Sequence, residues 1–160
     1  MCSSDLGLVM QPLSQKLRKL GYETQVLSYN TVAIDESSLF DSIDHSLNPL
    51  TANVLVGHSL GGLMIKRYLA NRQPSTSLIS HVVAIGSPLK GASIVGRIQD
   101  LGLGAILGNS PHHGLNKHDD AWAFPQKLGS IAGTMPIGAR PLLIRNDNTM
   151  SDGTVTVEET

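Results

Sequence analysis

Asn53-Val54-Leu55-Val56-Gly57-His58-Ser59-Leu60-Gly61-Gly62 is the stretch whose reading decides the fold. Val54, Leu55 and Val56 form a short apolar, mostly β-branched run with no polar alternation, as expected of a strand covered on both faces in a parallel sheet. Gly-x-Ser-x-Gly follows, with Gly57 and Gly61 flanking Ser59. A serine on a sharp strand-to-helix turn needs such neighbours, because a Cβ beside it collides with the adjoining strand or helix. The turn exposes the hydroxyl at the carboxyl end of the sheet and aims the Leu60 N–H, at a helix N-terminus, toward a developing oxyanion. Beyond it, Leu60, Leu63, Met64, Tyr68 and Leu69 share one helical face, and Lys66, Arg67 and Asn71 the other. A chance pentapeptide in a chain of 16 glycines is the competing reading, but the strand before and the amphipathic helix after are the context a nucleophile turn requires. His58 adjoins Ser59, and strand alternation points its ring away from the hydroxyl, so it is not expected to act as the base.

The flanking segments extend this into an α/β pattern. Leu13, Leu17 and Leu20 repeat at helical spacing between Gln11 and Leu20, with Pro12 in the first turn and Gly21 as the stop. Tyr22 to Tyr29 reads as a strand. Leu39, Phe40, Ile43 and Leu47 make the stripe of a second helix, capped by Ser37 or Ser38 and ended by Asn48-Pro49. His81-Val82-Val83-Ala84-Ile85 is the next buried strand, closed by Gly86-Ser87-Pro88. Helices and strands alternating at these spacings predict an α/β fold: a mostly parallel sheet with helices on both faces.

From about residue 89 to 127 the pattern dissolves into a glycine-rich, weakly periodic region containing His112, His113, His118 and Trp122. In a hydrolase this place suits a cap insertion with apolar walls for a substrate. Its histidines do not match a helical two-histidine ligand pair, and Asp119 and Asp120 are the only acids nearby, so a solvated loop is expected rather than a metal site. A further strand is expected at Leu128 to Ala132, with Pro141-Leu142-Leu143-Ile144 competing for the same place. Either leads to Ser151-Asp152-Gly153, a loop of the kind that carries the acid of a Ser…Asp…His order. Asp152 is the first choice and Asp147 the second, against the alternative of an ordinary Asp-Gly turn.

Composition narrows the function classes. The chain has 160 residues, 41% hydrophobic and 16% charged, which suits a globular core. Its net charge of −1 gives no electrostatic footprint for nucleic acid or an anionic membrane. No apolar run approaches the roughly 18 residues of a membrane span, so a soluble protein, with a cytoplasmic location favoured, is expected. The single cysteine, Cys2, excludes an internal disulfide. Residues 2–6, Cys-Ser-Ser-Asp-Leu, match the translation of TGC TCT TCC GAT CT, the end of a common sequencing adapter. Residues 1–6 are therefore read as an artefact, with native sequence beginning near Gly7 and its own N-terminus missing, against the alternative of a genuine disordered N-terminus.

Three blocks carry a resemblance: Gly57 to Gly62, His81 to Gly91, and Ser151 to Thr160. There the chain resembles the α/β-hydrolase superfamily, in particular bacterial lipase/esterase-like members related to GPI-inositol-deacylases and triacylglycerol lipases. The likeness runs from about residue 8 to the end and is loose in the cap. It implies Ser59 as nucleophile, Asp152 as triad acid and a small-molecule or lipid ester as substrate, with no cofactor. Ser87-Pro88 and Gly91 resemble a structural loop near the site. Two features of the family pattern have no counterpart: a His-Gly oxyanion segment before the first helix, and a general-base histidine after the acid. His45, His58, His81, His112, His113 and His118 all precede Asp152.

The expectation is thus a hydrolase domain over 7–160, partial at both ends. Loss of the serine's base costs on the order of a million-fold in turnover, and of one oxyanion donor about a hundred- to a thousand-fold, so the 160-residue chain alone is expected to be inactive or nearly so. Uncovered sheet edges would also make it poorly soluble. Two readings compete with ester hydrolysis. An acyltransferase or thioesterase would use the same elbow, and a non-catalytic binding domain would keep the fold without the chemistry.

Overall fold

The computed structural model describes residues 2–4, 8–29, 34–87, 89 and 122–132. In chain order its elements are β1 (Cys2–Ser4), a 3₁₀ turn (Leu8–Met10), α1 (Gln11–Lys19), β2 (Leu27–Tyr29), α2 (Glu36–Ser46), β3 (Asn53–His58), α3 (Leu60–Arg72), β4 (Ile79–Ile85) and β5 (Lys127–Ile131). The strands form one sheet in the order β2-β1-β3-β4-β5, and every pair is parallel. This is an α/β architecture, as the alternation of patterns predicts.

β1 to β2 steps one way across the sheet, and β2 to β3 and β3 to β4 step the other way. Right-handed crossovers then put α1 on one face and α2 with α3 on the opposite one. The packing agrees. Phe40 and Ile43 of α2, Met64, Tyr68 and Leu69 of α3, and Leu55, Val82 and Ala84 of the strands belong to one buried cluster. Phe40 and Tyr68 meet edge to face, with ring centroids 5.6 Å apart. Each of the larger aliphatic side chains, and Met64 and Phe40 likewise, contributes on the order of 1.5–3 kcal/mol when fully buried. Met10 and Val56 are also buried but lie outside that cluster, as residues on the α1 face would.

β4 holds both Ile79 and Val82 against the helices although they are an odd number of residues apart. An irregularity in the ladder explains it: Asn53 pairs with Ile79 but Val54 with His81, so Ser80 is the extra residue that resets the alternation.

Several details depart from the expectations. β2 begins only at Leu27, not Tyr22, because Thr24 is engaged by α1 instead of a ladder: its hydroxyl lies 2.7 Å from Ser14 Oγ and accepts from Arg18 Nε. The cap of α2 is Asp35, not Ser37 or Ser38. Its carboxylate accepts from the Ser38 N–H at 3.2 Å and the Ser38 hydroxyl at 2.7 Å. These bonds hold the Asp35 carboxyl below its ordinary value of 3.8. β3 is not covered on both faces along its whole length. Leu55, Val56 and Gly57 are buried, but Val54 is 49% exposed, since no described element lies over the start of the strand on the α1 face. The leucine stripe of α1 is likewise half-buried at Leu13 and Leu17 and exposed at Leu20.

Other expectations hold. α1 ends as a Schellman turn, with the Gly21 N–H on the Arg18 carbonyl, the Tyr22 N–H on the Leu17 carbonyl, and Gly21 at φ 91°. The strand expected at Leu128 to Ala132 is β5, one residue earlier, and the competing Pro141 to Ile144 lies outside the described residues. Cys2–Ser4, part of the stretch expected to be an artefact, pairs through its backbone with both β2 and β3. Such pairing uses main-chain groups and says nothing of origin.

Candidate functional site

Because all strands are parallel, their carboxyl ends share one edge, and Ser59 follows β3 there. β1 and β3 are neighbours whose onward connections diverge to opposite sides. In an open α/β sheet that divergence opens a crevice at the carboxyl edge, the usual place for a ligand.

The local backbone at Ser59 is strained. Its φ of 52° and ψ of −120° lie in a region that a residue with a Cβ rarely adopts, at a cost on the order of 1–3 kcal/mol. Gln73, which ends α3 in the left-handed region, is the other non-glycine residue with positive φ among the described residues. Hydrogen bonds hold Ser59 on both sides: its N–H donates to the Ile85 carbonyl at 2.9 Å, and its carbonyl accepts from the Gly62 N–H at 3.2 Å. Ser59 is the N-cap residue of α3, yet its side chain makes no capping hydrogen bond. A serine in that place ordinarily spends its oxygen on the helix N–H groups. Here it does not.

Glycine permits the turn in two distinct ways. A Cβ on Gly57 would stand 2.5 Å from the Gly62 nitrogen and 2.6 Å from the Gly61 carbonyl carbon. A Cβ on Gly62 would collide with the Ser87 hydroxyl oxygen and lie 2.6 Å from the Ser87 Cβ. The first requirement is legible in the Gly-x-Ser-x-Gly spacing. The second is not, although the small residue ahead of Pro88 is its trace in the sequence.

Leu60 occupies the first position of α3, where a backbone N–H has no acceptor within the helix and the helix dipole favours negative charge. His58 ends β3 on the Val54 and Val56 side of the sheet, and its buried Nδ1 has no hydrogen-bond partner among the described residues. The other two described histidines stand at the opposite edge. His81 is near the start of β4, and His45 is in the last turn of α2, its Nδ1 2.6 Å from the Asp41 carbonyl oxygen. Neither shares an edge with Ser59.

Asp152, Asp147, His112, His113, His118, Asp119, Asp120 and most of the 89–127 region lie outside the described residues. Of that region, Leu89 is buried in the core, and Trp122 and Phe124 pack against it. The Trp122 indole N–H donates to the Gln126 carbonyl at 2.6 Å. Beside the carboxyl end of β2, Tyr29, Asp35, Ser38 and Ser42 help line a cavity of about 280 Å³, which does not include Ser59. Among the described residues no three His, Cys, Asp or Glu side chains group to hold a metal ion, and no helix is long and apolar enough to cross a membrane.

Comparison of the chain with protein-family models, with curated proteins and with solved structures finds no match.

Proposed function

We propose that Ser59 is the nucleophile of a serine hydrolase that cleaves carboxylic esters in the manner of lipases and esterases. One observation carries the reading: a strained serine at a strand-to-helix turn, on the carboxyl edge beside the divergence of β1 and β3, whose hydroxyl is not spent on capping its own helix. Strain of this kind is retained where it serves a function.

In this reading Ser59 Oγ attacks the acyl carbon, and the proton passes to the general-base histidine that the resemblance places after the acid and that Asp152 would orient, a role that none of the six histidines in this sequence fills. The Leu60 N–H donates to the oxyanion of the tetrahedral intermediate. Collapse expels the alcohol and leaves an acyl-enzyme on Ser59, which water then cleaves to free the acid. The apolar composition of 89–127 favours an acyl chain over a charged substrate. An α/β-hydrolase core with a glycine-rich cap is the framework that the resemblance implies.

The test is covalent labelling. A fluorophosphonate probe applied to the full-length protein is expected to modify Ser59, and Ser59→Ala to abolish both the label and turnover of a p-nitrophenyl ester. A protein that resists the probe and hydrolyses no ester is a binding domain instead. Transfer of the acyl group to an added alcohol in preference to water would identify an acyltransferase.

A further inference from the structure

Four residues close a ring about the turn that carries Ser59. The Ile85 carbonyl, at the end of β4, accepts the Ser59 N–H at 2.9 Å. The Ser87 hydroxyl donates to that same carbonyl at 3.4 Å. Ser87 Cβ and Oγ fill the space beside Gly62 that a side chain there would need. Gly62 returns to the start by donating its N–H to the Ser59 carbonyl at 3.2 Å.

The ring therefore grips Ser59 by its N–H and by its C=O, the two groups whose relative setting is defined by its φ and ψ. A residue held at φ 52° and ψ −120° relaxes toward an ordinary region unless its surroundings prevent it. Ser87 can prevent it because it cannot itself retreat. It is fully buried, Gly86 before it is fixed at φ 53° with its N–H on the Ile131 carbonyl at 2.8 Å, and the Leu89 N–H holds the Ser87 carbonyl at 2.9 Å. Its size matters too. With the Gly62 backbone against it, a larger side chain has no room, and glycine would leave a gap.

We infer that Ser87 is a positioning residue for the nucleophile: wedged between the end of β4 and the first turn of α3, it holds Ser59 in the conformation that presents its hydroxyl. This rests on the reading of Ser59 as the nucleophile. Ser87 does not touch substrate, since it is closed off from solvent.

The experiment measures p-nitrophenyl acetate hydrolysis by the full-length protein, well below its melting temperature. Ser87→Gly is expected to lower kcat by about 10- to 100-fold, the scale of a small misplacement of a reacting group, with KM within about two-fold of wild type. Ser87→Ala, which keeps the wedge and loses the hydroxyl, is expected to show a smaller fall in kcat and carries the test if the glycine variant does not fold. Ile43→Val, in the core and away from the turn, serves as the stability control and is expected to lower the melting temperature without changing kcat. Gly62→Ala is expected to lose activity that Gly62→Ala/Ser87→Gly partly regains, since the second change makes room for the added methyl. Wild-type kcat in both Ser87 variants, or a loss of kcat in Ile43→Val matching theirs, would overturn the inference. If Ser59→Ala is inert while the Ser87 variants turn over normally, only the positioning role fails; if Ser59→Ala stays active, the nucleophile reading falls and takes this inference with it.

Discussion

Gly57 on β3 and Gly61 on α3 cross backbone against backbone, so that a Cβ added to Gly57 would lie 2.6 Å from the Gly61 carbonyl carbon and 2.8 Å from its oxygen. Neither atom belongs to a side chain that could swing aside. Gly57→Ala is therefore expected to destabilise the protein by about 1–3 kcal/mol or more, as strand and helix are forced apart. A lower urea midpoint at unchanged m-value checks it. An unaltered midpoint would mean that the crossing is looser than described.

The torsions of Ser59 bear on stability as well as chemistry. Glycine is at ease at φ 52°, ψ −120°, whereas alanine retains the Cβ that makes this region costly. Ser59→Gly is expected to be more stable than Ser59→Ala by about 1 kcal/mol, after allowance for the greater unfolded-state entropy of glycine. Both variants are expected to be inactive. Paired denaturation curves for the two decide the matter.

Asn53 ties three segments together at the amino edge of the sheet. Its Oδ1 accepts the Asn48 N–H at 3.0 Å, and its Nδ2 lies 2.9 Å from the Asn48 carbonyl, 3.1 Å from that of Thr51 and 2.8 Å from that of Leu78. Asn53→Ala strips partners from these groups and is expected to cost about 1–3 kcal/mol. Asn53→Asp sets a carboxylate against three carbonyl oxygens, so at neutral pH it is expected to be worse than alanine and to improve on acidification. Thermal melts of both variants at neutral and acidic pH provide the comparison.

Tyr68 donates its hydroxyl to Asp44 Oδ1 at 2.6 Å beneath α2. Burial first, then this bond, pushes its pKa well above the ordinary 10.0. With the folded value above the unfolded one, its contribution is complete below pH 10.0 and declines as pH rises from there toward the folded value. Tyr68→Phe is expected to lose about 1–2 kcal/mol at neutral pH, because a hydrogen bond to a carboxylate disappears, and to flatten this alkaline decline. Denaturation followed on both sides of pH 10.0 is the check.

What could be read in advance follows the range over which each feature acts. The turn at Ser59 and the stop at Gly21 depend on residues within a turn or two of each other, and the local pattern reports them; α3 departs from the single apolar face of Leu60, Leu63, Met64 and Tyr68, because all six residues from Leu60 to Ile65 are buried where the helix starts against the sheet. β2 starts later than its residue types suggest, because Thr24 has the propensity of a strand residue but is taken by Ser14 and Arg18 across a turn. The cap at Asp35 was obscured by Ser37 and Ser38, each a competent cap by type. The contact of Ser87 with Gly62 joins residues 25 apart, and no local pattern encodes it. Exposure of Val54 has the same origin, since an apolar run describes what a strand prefers and not what lies over it. Of the chosen site residues, Ser59 and Leu60 stand together at the head of α3, as their spacing requires, while Asp152 lies outside the described residues.

β1 joins the edge strand β2 to the rest of the sheet with only three residues, Cys2↔Leu27, Ser3↔Ser28 and Ser4↔Tyr29 on one side and Cys2↔Gly57 and Ser3↔His58 on the other. Main-chain amides make both seams, so the slot between β2 and β3 selects for extended backbone far more than for side-chain identity. A strand offered from elsewhere, on the same polypeptide or another, could occupy it with little loss of pairing. An interior strand of this sheet is thereby its most exchangeable part.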